Sequence, residues 1–233
     1  MAHPDVQDEQ RLTAKGRATR DRIVHAAAQL IVTEGLSASN MENVRKAASV
    51  SGSQLAHYFA DKSALIRAVI RRQIGVVLDF HRQPRLRDLD SFDDFERWID
   101  LNMRYLRRIG TSGGTPTYHA LTAQLAKSDD ATRTTLAAGY WQWVELLESA
   151  IQRMKAKGVL TASADPRRLA LAIISAHQGG ATLAFTYQEE WPHADATRFA
   201  VNYLRMFAAD PAERAPRPAR RPRSRRAKPT AAP

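Results

Sequence analysis

Ser51, Gly52, Ser53, Gln54, His57, Tyr58 and Lys62 fall within one short stretch of the chain. They are small or hydrogen-bonding residues at the spacing of a helix start. The chemistry open to them is non-covalent. A glutamine amide can pair with adenine in a major groove, whereas Ser and Tyr hydroxyls more often meet phosphate. Little else in the sequence points to catalysis. There is no Gly-rich phosphate loop, no G-x-S-x-G and no paired carboxylate and histidine at a plausible spacing. The chain has no cysteine, so disulfides, thiolate metal sites and a thiol nucleophile are excluded. With no H-x-x-x-H or H-x-x-E pair, no metal and no other cofactor is expected.

The elements that must present these residues follow from capping and periodicity. Residues 39–62, SNMENVRKAASVSGSQLAHYFADK, read as a helix, a tight turn and a second helix. Val44, Ala47 and Ala48 give the first helix a small apolar face, and Ala48, Ser49 and Val50 make the turn. Ser51 stands at the N-cap, and Gln54 three residues on completes an S-x-x-Q capping box. Leu55 and Phe59, at i and i+4, hold the second helix against the first. Gly52, Ser53, Gln54, His57 and Tyr58 are left facing outward, as a groove reader requires. The same pattern would also serve an ordinary helix pair in a bundle.

The rest of the chain reads as helices with short connections. A first helix covers about 15–34 and ends at Gly35. A long helix starts at Lys62 and stops before Pro84. Others are expected near 91–109, 117–127, 129–157, 165–187 and 194–209, with GTSGGTP at 110–116 as a clear breaker. No segment alternates as a strand would. The fold class is therefore all-α, with about nine helices. The expected division is a disordered arm at 1–14, a helix-turn-helix domain at 15–62, a larger helical domain at 63–210 and a disordered basic tail at 211–233.

Charge follows this division. The net charge is +11, but residues 83–210 balance to zero, while residues 11–82 and 211–233 each carry +7. Two positive blocks around a neutral body point to phosphate contact at one end of the fold. Lys15, Arg17, Arg20, Arg45 and Lys46 are further phosphate candidates. The tail has seven arginines, six prolines and no aromatic residue. It either adds salt-dependent DNA attraction or is a solvated linker. The N-terminus is acidic and unlike a signal peptide, no apolar run approaches the ~18–20 residues that span a bilayer, and a cytoplasmic location is expected.

Gly35, Ser39, Val44, Ala48, Val50-Ser51, Leu55, His57-Tyr58-Phe59, Lys62 and Leu65 together resemble the TetR family of transcriptional regulators, over about residues 17–70. The resemblance implies an N-terminal DNA-binding domain of three helices and a C-terminal domain for ligand binding and dimerisation. It implies a homodimer, joined through its last two helices, on a near-palindromic double-stranded operator. It adds Ser39 and Asn40 to the DNA-contacting set and gives Lys62 a phosphate. Three positions depart from the family pattern: Arg45 stands where Ala is usual, Ser49 where Gly is usual and Ala56 where Tyr is usual. Ser49 falls where positive φ is often needed.

The C-terminal part, from GGTPTYHALTAQL to HQGGATLAF, is similar to the LmrA/YxaF-type branch of these AcrR-like proteins, with Thr115 where many have Cys. That resemblance implies a small aromatic or drug-like effector. Trp98, Tyr105, His119, Tyr140, Trp141 and His177 are the candidate ligand residues, and the helices near 91–109 and 129–157 the candidate walls. Each of these side chains could equally be plain core. Gly179-Gly180 in mid-helix suggests a close backbone approach, across the dimer or beside the ligand. A repressor released by its effector is the expected function. An architectural DNA binder driven by the tail, or an activator of the same fold, are the competing readings.

Overall fold

The computed structural model describes residues 12–110 and 117–209. Residues 1–11 of the expected arm, the break after Gly110 with Thr115, and the basic tail lie outside the described residues. Within them there are nine helices, which we number α1 to α9: Ala14–Glu34, Met41–Ala47, Gly52–Tyr58, Lys62–Arg82, Phe92–Ile109, Tyr118–Leu125, Asp130–Ala156, Pro166–Tyr187 and Trp191–Arg205. The described residues form no strand. One isolated antiparallel bridge joins Leu160 to Ala208.

Most helices begin where the capping chemistry demands. The side chains of Thr13, Asn40, Ser51, Asp61, Ser91, Thr117, Asp129 and Asp165 each accept a backbone N–H in the first turn of the helix that follows. Such a bond satisfies one of the donors a helix start leaves open and contributes about 1 kcal/mol. Helices α1 and α5 end on Gly35 and Gly110, with φ of 89° and 71°.

Helix α1 buries Ile23, Val24, Ala27 and Ile31 against Val44 of α2, Leu55 and Phe59 beside α3, and Leu65 and Val69 of α4. Helix α4 belongs to both parts of the molecule. Its first half closes this small core, and its second half packs on α7. In the larger part α7, α8 and α9 lie in succession, with α5 against α9 and the short α6 reaching α1, α4, α7 and α8.

Three expectations are corrected. The last helix starts at Trp191 and ends at Arg205, not 194–209. Pro192 is tolerated in the first turn, where no N–H is required. Beyond Arg205 the chain turns so that Phe207 O accepts from Thr161 N at 2.8 Å and Ala209 N donates to Val159 O at 3.0 Å. These pairings with the α7–α8 connection compete with further helix. Second, α8 is long and apolar enough by length and composition to cross a membrane, with mean hydropathy 1.2. Its scattered Ser, His, Gln and Gly hide this in the sequence. In the fold Leu169, Ile173, Ile174 and Ala184 of α8 are core residues.

Third, the two central glycines of α8 differ. A Cβ at Gly180 would lie 2.8 Å from Ala196 Cβ and 2.9 Å from His193 Cα, so the close approach is to α9 of the same chain. Nothing lies within 4 Å of a Cβ at Gly179. Gly180→Ala should therefore destabilise the protein by about 1–3 kcal/mol through overpacking. Gly75→Ala, in an open position of α4, should stabilise it by up to ~1 kcal/mol through helix propensity. Urea unfolding of the two variants checks the opposite signs.

Candidate nucleic-acid interface and ligand cavity

The start of α3 is built by its own side chains. Ser51 Oγ accepts from Gln54 N at 3.1 Å, and Gln54 Oε1 accepts from Ser51 N at 2.9 Å. Ser51 and Ser53 hydroxyls lie 3.0 Å apart. Leu55 and Phe59 are buried, while Gly52, Ser53, Gln54 and His57 are exposed. Tyr58 is half-buried, edge-on to His57. The capping box has a consequence for reading. With Oε1 already accepting from Ser51 N, a two-sided pairing of Gln54 with adenine would have to share that oxygen with the cap.

The turn before α3 is tight. Ser49 has φ 51°, Ser49 N donates to Lys46 O and Val50 N to Arg45 O. A non-glycine residue there costs about 1–2 kcal/mol. Arg22 Nε donates to Ala48 O at 2.9 Å and ties the turn to α1.

Two expected DNA contacts turn inward. Ser39 is 1% exposed, and its hydroxyl donates to Leu36 O at 2.7 Å. Lys62 Nζ donates to the same carbonyl at 2.8 Å. Leu36 O lies just beyond α1 and has no helical partner, so it draws both donors. Ser39 is thus a structural residue. Asn40, exposed, is the α2 cap, its Oδ1 accepting from Asn43 N at 2.9 Å. Arg45 pairs with Glu42 at 2.7 Å and Lys46 with Glu42 at 3.6 Å. The Arg45 hydrogen bond holds the Glu42 carboxyl down at about 2. These exposed pairs are weak, and a phosphate could compete for their cations.

A cavity of about 100 Å³ lies in the larger part of the molecule. Helix α4 supplies Gln73, Val77, Phe80 and His81; α5 supplies Asn102, Tyr105 and Leu106; α8 supplies His177, Gln178 and Phe185. Thr117, Tyr118 and His119 close it from α6, Trp143 from α7 and His193 from α9. Among the described residues, none that lines it is Lys, Arg, Asp or Glu.

Its deepest polar group is His81. Indole N–H groups only donate, and those of Trp98 and Trp143 reach His81 Nε2 at 2.9 and 3.2 Å. His81 Nε2 is therefore the acceptor, and Nδ1–H donates to Val77 O at 2.8 Å. Burial holds His81 down at about 4, opposed by the Val77 bond. His193 is likewise held at about 4 by burial and then by His119. Burial, then His193 and His81, push His177 well below its ordinary value, and burial lowers His119.

Of the expected ligand residues, Tyr105, His119 and His177 line the cavity. Trp98, Tyr140 and Trp141 do not. Trp98 is fully buried behind it as a donor to His81. Tyr140 spends its hydroxyl on Thr122 at 3.0 Å and Gln178 at 2.5 Å. Trp141 points outward, with Arg167 4.6 Å from its ring centre. Trp143, two residues on, takes the inward side of α7. Gln73, His81, Asn102, Gln178 and His193 were not foreseen. The four-residue spacing Gln73–Val77–His81 on α4 was the available signal.

Residues 23–69 match the family described as bacterial regulatory proteins, tetR family. The match falls on helices α1 to α4, the helix-turn-helix part of the chain. No curated protein matches the chain. Solved structures share the whole fold. A TetR transcriptional regulator from Chloroflexus aurantiacus J-10-FL is 20% identical, with TM-score 0.69 over 84% of this chain and 99% of that one. Regulatory protein TetR from Rhodobacter sphaeroides is 20% identical, with TM-score 0.67 over 79% and 98%. Reduced NemR from E. coli is 20% identical, with TM-score 0.64 over 83% and 99%.

One side chain links the matched N-terminal helices directly to the cavity-bearing part. Gln124, at the end of α6, donates from Nε2 to Ile31 O at 2.9 Å and accepts at Oε1 from Leu36 N at 3.0 Å. It caps the end of α1 from outside. The other end of the same short helix, Tyr118 and His119, is cavity wall.

Gln124→Leu should speed hydrogen exchange at the Leu36 amide about tenfold, as expected for loss of one hydrogen bond; exchange followed by NMR reads this. The histidines set the acid stability. With folded values below the ordinary 6.5, the unfolded chain binds more protons, so the contribution is complete above that value and falls as pH drops from 6.5 to about 4. His81 and His193 should each cost about 3 kcal/mol across that window. Urea unfolding at a series of pH values measures it.

Proposed function

We propose that the protein is a homodimeric transcriptional repressor that releases its operator when a small aromatic molecule enters the cavity. The observation that carries this reading is the pairing of an exposed, self-capped α3 with an uncharged interior cavity, joined through α4, α6 and Gln124. Gln54, His57, Gly52 and Ser53 face the groove, and Ser51, Asn40 and Tyr58 are placed for the DNA backbone. Lys62 serves a phosphate only by sharing its ammonium with Leu36 O. The similarity of the second domain to the LmrA/YxaF-type branch supports an aromatic effector. The protein acts in the cytoplasm, where its operator is.

Dimerisation through α8 and α9 is supported by the apolar residues those helices leave outside. Leu171, Leu183 and Tyr187 of α8, and Phe199 and Tyr203 of α9, are exposed, Phe199 by 74%. Leu169, Ile173, Ile174 and Leu204 of the same two helices point the other way, into the core. An outward apolar surface of this extent on two adjacent helices suits a symmetric helical interface.

The effector acts by favouring an arrangement in which the two reading heads no longer match the half-site spacing. To move operator occupancy from about 99% to about 1%, it must prefer that arrangement by ~5.5 kcal/mol. Operator selection from a random DNA pool, with full-length chain and a truncation ending at residue 210, tests the reading. It should recover the same palindrome from both. A binding activity without a motif, lost with the tail, would replace it with the architectural reading. Phe199→Glu should give a folded monomer by analytical ultracentrifugation and weaken operator binding at least tenfold.

A further inference from the structure

Several cations of the reading head are already engaged within the chain. In α1, Arg17 donates to Leu12 O at 2.5 Å and Arg22 to Ala48 O at 2.9 Å. Lys62 donates to Leu36 O at 2.8 Å. A carbonyl orients a cation but leaves its charge in place. Glu42 acts differently. Within residues 39–60 it is the only carboxylate, and Arg45 and Lys46 are the only arginine and lysine. Both meet it. Arg45 Nε donates to Oε2 at 2.8 Å and Nη2 to Oε1 at 2.7 Å, a side-on bidentate pair, and Lys46 Nζ stands 3.6 Å from Oε1. The helix-turn-helix itself thus carries two cations against one carboxylate, a net charge of +1.

The group lies where a duplex would be met. Glu42, Arg45 and Lys46, at i, i+3 and i+4, share one side of α2, away from buried Val44. Arg45 Nη1 also reaches Val50 O at 3.5 Å, one residue before the Ser51 cap of α3. In a helix-turn-helix the first helix crosses the phosphate backbone while the second enters the groove. The guanidinium stands at the junction of the two, and a phosphate arriving there competes with Glu42 for it. Exposure keeps that exchange open. The side chains of Glu42, Arg45 and Lys46 are 55%, 35% and 67% exposed, so the pairs are screened by solvent and weak beside the dense charge of a duplex. Protonation does not free the cations, because the Arg45 hydrogen bond holds the Glu42 carboxyl down at about 2.

We propose that Glu42 is an autoinhibitory residue of the reading head, which competes with DNA phosphate for Arg45 and Lys46 and so holds the sequence-independent part of binding below what the head's cations would give. The inference rests on the α2–α3 side being the one that meets DNA, as proposed above. Base reading by α3 is untouched, so Glu42 lowers the affinity for operator and for unrelated duplex by the same factor. A less tight operator complex is also one from which a smaller effector preference suffices for release.

The test is binding of the full-length protein to the selected operator and to an unrelated duplex of about 25 base pairs, read by fluorescence anisotropy between about 50 and 200 mM salt. Glu42→Gln keeps the size of the side chain and removes its charge. It should bind both duplexes about tenfold more tightly than wild type near 0.15 M salt, and its log–log salt slope should steepen by about 1 for each phosphate newly met. Arg45→Gln separates competition from general repulsion. In the wild type it should change affinity by less than about twofold, because Glu42 already cancels that charge, whereas in the Glu42→Gln background it should cost about fivefold. Weaker operator binding by Glu42→Gln would mean that the carboxylate orients Arg45 for DNA instead of withholding it, and would overturn the inference. Unchanged affinity, or an equal cost of Arg45→Gln in both backgrounds, would overturn it as well. Any of these beside a recovered operator removes the inference alone; the regulator reading falls only where operator selection yields no motif.

Discussion

Helix α4 is a single rod shared by two structures, and the rest of the molecule depends on it. Its 21 residues span about 31 Å. One end is fixed by the Asp61 cap and by Lys62 bonding to Leu36 O, hard against the reading head. The other carries Gln73, Val77, Phe80 and His81 along the cavity. No breaker interrupts it: Gly75 lies mid-helix without distorting it, and the helix ends only at Gln83, before Pro84. This continuous helix is the connection through which the effector response proposed above would run.

The cavity is polar in an unusual sense. Its histidines contribute donors and acceptors but no charge, since burial disfavours their protonated forms. His81 accepts from two indoles and donates to a carbonyl, and so has no capacity left for a ligand. It fixes Trp143 in the wall and Trp98 behind it. His177 has the opposite status, with one nitrogen committed to Asn102 and the other unpartnered. Two residues of the same type thus serve different ends, set by what surrounds each ring.

The reading head shows a similar economy at its surface. Gln54 both closes the capping box and faces outward, so its oxygen is shared with the cap while its amide donors are free of it. Arg45 and Lys46, which would otherwise extend the positive surface, share Glu42. Leu36 O gathers Ser39 and Lys62, and its own N–H goes to Gln124. The loop after α1 is consequently the junction at which the two parts of the molecule meet.

Much of the fold was legible in the residues in order. Thr, Ser, Asn and Asp caps, glycine stops and the 3.6-residue period placed the helices, because these are local effects acting within a turn or two. The helix-turn-helix and its outward face were legible for the same reason. Local rules did not reach Ser39, whose burial depends on a carbonyl three residues earlier in a folded loop. Nor could they sort Trp141 from Trp143, or Trp98 from Tyr105, since an apolar ring on a helix satisfies core and cavity alike. Which rings border empty space, which glycine touches α9, and which histidine nitrogen lacks a partner are properties of helices brought together from distant parts of the chain. The sequence alone determined an all-α chain with a basic, capped reading head. Tertiary packing alone decided the cavity, its neutrality and its link to that head, because long-range contacts fix the position of a buried polar atom and periodicity does not.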